Sequence, residues 1–426
     1  MIRHIGERNL LSDKVIKRYD QWTEKATADP DLIPELHTMS QEQIEDAFYR
    51  DLAFGTGGLR GTIGAGTNRM NVYTVERATR GLSNYLKREF ENPSVVIGHD
   101  SRIKSRLFAE TVAAVFYKEG IEVHLWNRLL PVPTVSFATR YLKVSAGVMI
   151  TASHNPSKYN GYKVYGSDGC QITTEAAKDI LSCIDALGYF VKEIPAFDES
   201  MVQYIPDEVL DAFAGEVKEQ SVVREDIDRN VAIVYSPLNG TGLEPVTRVL
   251  KETGFHNITV VEEQRNPGGN FPTCPYPNPE IWEAMELGLQ YCEKKNADLL
   301  IATDPDCDRC GIAVKNVDGS YKLLSGNETG LLLLDFICSQ RIKNGTMPEH
   351  PVMIKTIVTS DMGEQIAEHY GVQTINVLTG FKFIGEQIGL LEKQGKENDY
   401  IFGFEESYGY LSGGYLEIKT ALMQAL

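Results

Sequence analysis

The stretch Thr151-Ala152-Ser153-His154-Asn155-Pro156, followed by Gly161-Tyr162-Lys163, puts a hydroxyl nucleophile, an imidazole, an amide and an ammonium on one short polar segment. A serine in such company can carry a phosphoryl group. A second polar loop, Asp304-Pro305-Asp306-Cys307-Asp308-Arg309, sets carboxylates at alternate positions. In an extended loop all of them point to one side. Converging carboxylates repel one another, and a hard divalent cation such as Mg2+ resolves that while leaving ligand positions for phosphate oxygens. The string also starts like an EF-hand. However, Arg309 stands at the glycine position and Lys315 at the bidentate glutamate position, which excludes that reading. Each residue has a plainer alternative: a solvated acidic turn, a turn or cap for Ser153, a structural ring for His154, a snorkelling surface lysine for Lys163.

Two further runs belong with these. In Phe54-Gly55-Thr56-Gly57-Gly58-Leu59-Arg60-Gly61 the glycines let backbone amides approach an anion and Arg60 adds a fork of donors. The run matches neither the P-loop nor the dinucleotide fingerprint. Gly403-Phe404-Glu405-Glu406-Ser407-Tyr408-Gly409 offers carboxylate and hydroxyl groups suited to vicinal sugar hydroxyls, or forms an ordinary acidic turn.

Both chemical loops follow apolar runs, Ser145 to Ile150 and Leu299 to Ala302, which read as buried strands. Open α/β sheets place their chemistry where such strands empty. Residues 1 to about 50 read as polar helices anchored by Trp22 and Phe48. Thereafter strands (Val95–Ile97, Val123–Leu125, Ala146–Ile150, Val231–Tyr235, Ile258–Val261, Leu299–Ala302, Val352–Ile357, Thr374–Val377, Tyr400–Phe402) alternate with helical segments such as Thr74–Phe90 and Leu107–Glu119. That alternation predicts tandem layered α/β domains with mixed sheets. Acidic, weakly periodic stretches near 195–228 and 315–328 suggest three domains, 1–205, 206–320 and 321–426.

The length of 426 residues exceeds one compact core. A net charge of −17 argues against a nucleic-acid partner, although a few cations focused in a cleft still suit an anionic small molecule. Seven cysteines form no disulfide framework, and the lone Cys307–Cys310 spacing lacks a second pair for zinc, which fits a reducing cytoplasm. The charged start, Met1 to Leu11, lacks a signal-peptide core, and the densest apolar run, Leu331 to Leu334, reads as part of a short helix rather than a membrane span.

Taken together and in this order, TASHNP at 151–156, DPDCDR at 304–309 and GFEES at 403–407 resemble the α-D-phosphohexomutase superfamily, most closely its phosphoglucomutase branch. FGTGGLRG at 54–61, GHDSR at 98–102 and TGFKF at 379–383 support the resemblance, which runs from about residue 40 to residue 415. It implies that Ser153 is phosphorylated and holds one Mg2+ together with Asp304, Asp306 and Asp308. It implies Lys163, ahead of His154, as general acid/base, with Arg60, Arg309 and Lys382 stabilising phosphoryl charge or touching substrate. Glu405 and Ser407 would grip sugar hydroxyls, with Gly403 and Thr379 beside them. The implied reaction interconverts glucose 1-phosphate and glucose 6-phosphate through glucose 1,6-bisphosphate, also the activator. Phosphomannomutase, phosphopentomutase, sugar-bisphosphate synthase and a non-catalytic phosphosugar- or metal-binding remnant are the alternatives. The resemblance implies a phosphosugar partner, no nucleic acid or membrane, and a monomer or dimer in the cytoplasm.

The resemblance breaks at Leu416. Relatives continue through a segment like Tyr-Val-Arg-Asp-Lys-Asp-Gly-Val-Asn-Ala-Ser, whereas Tyr415 here is followed by Leu416-Glu417-Ile418-Lys419-Thr420-Ala421-Leu422-Met423-Gln424-Ala425. The strings are one reading frame apart: the relatives' segment can be written GTT AGA GAT AAA GAC GGC GTT AAT GCA AGC, and removing its leading G yields the residues present. The expectation is a single-nucleotide deletion, absence of the family's fourth, C-terminal phosphate-binding domain, an incomplete third domain patched by Leu416, Ile418 and Leu422, and impaired turnover.

Overall fold

The computed structural model describes residues 11–55, 57–223, 227–416 and 420. The charged start before Leu11, Thr56 of the glycine run, and Ile418 and Leu422 of the tail lie outside them. Leu416 is fully buried in a core cluster with Tyr400 and Leu411.

Helices α1 (Asp13–Lys25), α2 (Leu32–Thr38) and α3 (Gln41–Phe48) open the chain. The expected anchors are in place: Trp22 and Phe48 are buried and meet edge to face, 5.9 Å between centroids. Next come β1 (Phe54–Gly55), β2 (Gly58–Thr62), α4 (Val72–Glu89), β3 (Ser94–His99), α5 (Ser105–Lys118), β4 (Glu122–Leu125), α6 (Val132–Tyr141), β5 (Ala146–Ile150), β6 (Tyr159–Gly166), α7 (Thr174–Asp185) and β7 (Gln203–Tyr204). Their seven strands form one sheet in the order β1-β2-β6-β5-β3-β4-β7, with β5, β3 and β4 parallel and β6 antiparallel to β5 and β2. Alternation along β3 and β5 sends Val95, Ile97, Val148 and Ile150 towards α5, and Val96 and Met149 towards α6. The two helices therefore cover opposite faces.

The second unit contains α8 (Asp207–Glu219), β8 (Ile233–Ser236), α9 (Leu243–Glu252), β9 (Ile258–Val260), α10 (Glu262–Arg265), α11 (Trp282–Lys295), β10 (Leu299–Thr303), β11 (Cys310–Lys315) and β12 (Tyr321–Leu324), its sheet ordered β12-β11-β10-β8-β9. The third contains α12 (Gly326–Asn344), β13 (Val352–Thr356), α13 (Met362–His369), β14 (Gln373–Val377), α14 (Phe381–Lys393), β15 (Tyr400–Glu405) and β16 (Gly409–Leu411), ordered β14-β13-β15-β16. All three sheets mix parallel and antiparallel neighbours, the tandem α/β architecture expected from the alternating pattern.

Two readings need correcting. Leu331–Leu334 lies in the 19-residue α12, not a short helix. Ser325 and Glu328 close a capping box at its start, satisfying end groups that would otherwise fray. Lys163 is not on a loop or snorkelling at the surface. It sits inside β6, only 8% exposed, because pairing with β2 and β5 draws that polar segment into the sheet. Among the described residues no helix is long and apolar enough to cross a membrane.

Candidate active site

The serine loop leaves β5 at its carboxyl end and returns as β6. A turn places Ser153 at φ 53°, a left-handed conformation that costs a residue with a Cβ energy the surroundings must supply. Arg102 supplies four hydrogen bonds to this segment. Its guanidinium donates to the carbonyls of Ser153, Asn155, Pro156 (3.0 Å) and Tyr159 (3.1 Å), and pairs with Asp100 at 3.3 Å, both side chains fully buried. Gly161 matters for the same reason: a Cβ there would lie 2.4 Å from the Thr151 carbonyl oxygen. Thr151 Oγ1 accepts from the Ser153 amide at 2.9 Å and donates to Asp306 at 3.1 Å.

The aspartate loop follows β10. It is a turn, not the extended strip that alternation suggested: the Cys307 amide closes on the Asp304 carbonyl at 2.9 Å, and Cys307 takes φ 56°. The turn still converges the carboxylates, because Asp304 Oδ1 accepts from the amides of Asp308 (3.1 Å) and Arg309 (3.0 Å). Gly240 permits the close packing beneath, since a Cβ there would lie 2.4 Å from Pro305 Cα. Cys307 and Cys310 are buried under the loop as free thiols, and burial raises both, Cys310 to about 12.

The two loops meet. Ser153 Oγ donates to Asp304 Oδ2 at 2.8 Å and stands 3.3 Å from His154 Nδ1. Lys163 Nζ donates to Asp306 at 2.8 Å and Asp308 at 3.4 Å. The Val132 amide, opening α6, donates to the Asp306 carbonyl at 2.9 Å. One oxygen from each of Asp304, Asp306 and Asp308 lies within 4.8 Å of the others, and all three side chains are buried. Burial and the charges of Asp306 and Asp308 push the Asp304 carboxyl well up. Burial acts the same way on Asp306, but Lys163 outweighs it and holds that carboxyl below its ordinary range. Burial alone would depress the Lys163 ammonium, yet Asp306 and Asp308 hold it above the usual lysine value. An all-oxygen donor set with Asp306 Oδ1 buried and without a hydrogen-bond donor fits a hard divalent cation.

The other candidates surround this centre at different removes. Arg60, on β2 opposite Gly161, reaches Asn155 Oδ1 at 3.2 Å and is otherwise exposed. Arg309 pairs with Glu280 and feels the charge of Glu405, which is buried at the end of β15. Ser407 is half-buried next to Glu406, whose carboxylate accepts from Thr356 (3.1 Å) and Thr359 (3.4 Å). Gly403 lies within β15 and pairs with Ile354 and Leu411. Thr379 is exposed in the turn before α14. Lys382, in the first turn of α14, lies 4.7 Å over its neighbour Phe383 and lines a cavity of about 630 Å3 with Cys170 and Glu386; burial lowers its ammonium. Among the described residues no hydrogen bond joins Lys382 to the carboxylates; its carbonyl accepts from Cys170 Sγ at 3.6 Å. Asp100 and Arg102 escaped assignment from sequence although they stand in the GHDSR string directly after β3; a charged pair at a strand end was the available signal.

Three family descriptions match the chain in succession: phosphoglucomutase/phosphomannomutase, alpha/beta/alpha domain I over residues 51–189, domain II over 211–319 and domain III over 325–426. A phosphoglucomutase of Staphylococcus saprophyticus is 38% identical over 392 residues, 90% of this chain and 70% of that protein. One from Staphylococcus haemolyticus is 36% identical over 382 residues, 89% of this chain and 68% of that protein. The crystal structure of a putative phosphomannomutase from Thermus thermophilus superposes with a TM-score of 0.73 at 22% identity, covering 88% of this chain and 78% of that one.

Proposed function

The chain belongs to the phosphoglucomutase/phosphomannomutase family and is an isomerase of that mutase type, and from that premise we propose that it interconverts glucose 1-phosphate and glucose 6-phosphate through phosphorylated Ser153. The observation carrying this reading is the 2.8 Å contact between Ser153 Oγ and the buried carboxylate cluster. That contact supports reading Ser153 as the phosphoryl acceptor and the carboxylates as a cation seat.

Asp304, Asp306 and Asp308 would hold Mg2+. That ion, when bound, supplies charge withdrawal from the serine phosphate and neutralises the carboxylates. The chain's own residues do the rest. Arg102 and Thr151 fix the serine loop, so phosphoryl transfer starts from an aligned hydroxyl. Lys163 moves the proton of the attacking or leaving sugar hydroxyl, and His154 orients Ser153 Oγ. Arg60 and Arg309 offset phosphoryl charge. Glu405 and Ser407 receive the sugar hydroxyls. Phosphoserine passes its group to the free hydroxyl of the hexose monophosphate, giving glucose 1,6-bisphosphate. That molecule turns over and returns its other phosphate to Ser153.

The test is conversion of glucose 1-phosphate to glucose 6-phosphate with Mg2+ and a trace of glucose 1,6-bisphosphate, alongside mannose 1-phosphate and a Ser153→Ala control. Glucose-favouring turnover abolished by Ser153→Ala is expected. Turnover surviving that substitution rejects the phosphoserine route, and faster turnover of mannose 1-phosphate rejects the assigned sugar.

A further inference from the structure

Arg309 stands among several carboxylates. Its own amide donates to Asp304 at 3.0 Å, and its Nε lies 4.0 Å from Asp308 Oδ1. Burial works against its charge, yet Asp308, Asp304, Glu280 and Glu405 together hold the guanidinium above the usual arginine value. Asp304 and Asp308 belong to the cation seat and Glu405 to the sugar loop. The close ion pair of the side chain, made through Nη1, is with Glu280, which belongs to neither.

Glu280 lies on the segment before α11, and local contacts fix that segment. Asn278 Oδ1 accepts from the Glu280 amide at 3.2 Å, and the Asn278 carbonyl accepts from the Ile281 amide at 3.1 Å. Pro279 packs against Gly311, where a Cβ would lie 2.6 Å from the Pro279 carbonyl oxygen. Gly311, on β11, follows Arg309 by two residues, so the anchor and the anchored residue share one backbone contact. On the other side, the Cys310 amide donates to the Tyr408 carbonyl at 3.3 Å, which fastens the aspartate loop to the sugar loop. Burial raises the Tyr408 hydroxyl to about 12, and the charge of Glu280 adds to it. Glu280 therefore stands where the two loops join.

A guanidinium among carboxylates is drawn most strongly to the driest one, since attraction grows as water is excluded. Without Glu280 that pull falls on Asp308, whose oxygens the cation needs. We propose that Glu280 is a positioning residue for the mutase reaction: it holds Arg309 off the cation's ligands and presents the guanidinium to the transferred phosphoryl group. This role rests on the phosphoserine reading of the site.

A double-variant cycle in the full-length protein tests it. Apparent Mg2+ affinity is read from the thermal midpoint for the parent, Glu280→Gln, Arg309→Met and the two combined. Glu280→Gln should weaken Mg2+ binding about tenfold while Arg309 is present, because the released guanidinium competes for Asp308, and by less than about twofold once Arg309 is replaced. Equal weakening in both backgrounds is through-space charge and overturns the role, and so does no weakening in either. Turnover of glucose 1-phosphate gives a second readout: kcat of Glu280→Gln should fall about tenfold with KM within about twofold of the parent. A raised KM at unchanged kcat would make Glu280 a substrate contact and overturn the positioning role. A parent inactive on glucose and mannose phosphates refutes the mutase reading instead, while the Mg2+ cycle still decides whether Glu280 anchors Arg309.

Discussion

The guanidinium of Arg102 lies over the ring of Phe271, 5.1 Å from its centroid, while the same group holds the carbonyl of Ser153. Phe271 belongs to the second domain and is buried. One side chain thus ties the serine loop to both its own sheet and the domain that carries the aspartates. Arg102→Lys keeps the charge but cannot serve four carbonyls at once. We expect kcat to fall by about two orders of magnitude with KM little changed, since misplacement of the nucleophile by about 1 Å costs that much. Phe271→Ala should reproduce a smaller part of the defect and Phe271→Tyr should restore it. Unaltered kcat in Arg102→Lys sinks the positioning role.

Three buried carboxylates drawn together should cost stability until a cation joins them. Asp304→Asn should therefore leave the thermal midpoint in EDTA equal to or above the parent's. The parent should gain about 2.7 kcal/mol when Mg2+ reaches about a hundred times its Kd, and the variant should gain almost none. A full Mg2+ response in Asp304→Asn would show that the cation sits elsewhere.

Lys163→Met removes a buried cation facing Asp306 and Asp308. Leaving such charges uncompensated costs about 3–5 kcal/mol. Denaturant titration should show that loss in EDTA, with partial recovery on adding Mg2+, which supplies replacement charge to the same carboxylates. A stability loss indifferent to Mg2+ would mean that Lys163 acts through packing alone.

Away from the site, Glu119 accepts from Arg80 (2.5 Å), Lys87 (2.9 Å) and Lys192 (2.9 Å). Burial alone would raise its carboxyl, but Lys87 and Lys192 outweigh that and bring it to about 2, from 4.5 in an unperturbed glutamate. A carboxyl depressed by folding stabilises above its unfolded value and loses that contribution as pH falls through the folded one. Glu119→Gln should lower stability at neutral pH by about 1 kcal/mol, allowing for solvent screening at the rim of the cluster. The gap between variant and parent should close between about pH 4.5 and pH 2. A gap that is flat across that range removes Glu119 from the acid response.

Much of this was legible in the residues. Apolar runs emptying into polar loops located Ser153 and the aspartates, because β5 and β10 are buried strands whose composition differs sharply from that of the loops they lead into. Lys163 was harder. Asn160, Gly161 and Lys163 interrupt the apolar alternation, and only pairing with β2 and β5 makes the segment a strand. Convergence of Asp304, Asp306 and Asp308 was foreseen from an extended geometry, but the amides of Asp308 and Arg309 folding back on Asp304 bring it about. Arg102 could not be ranked because its work is done on carbonyls about fifty residues away, and long-range backbone contacts leave no local pattern.

The thiols of Cys307 and Cys310 lie directly beneath the aspartate loop. With Cys310 raised to about 12, only about one side chain in a hundred thousand is thiolate at pH 7. The attacking species in alkylation and in peroxide oxidation is the thiolate. The loop that seats the cation is thus chemically silent while folded, and its two sulfurs become targets only when the turn opens. The rate at which iodoacetamide modifies Cys307, followed by peptide mapping apart from the chain's other cysteines, measures how often that loop lets go.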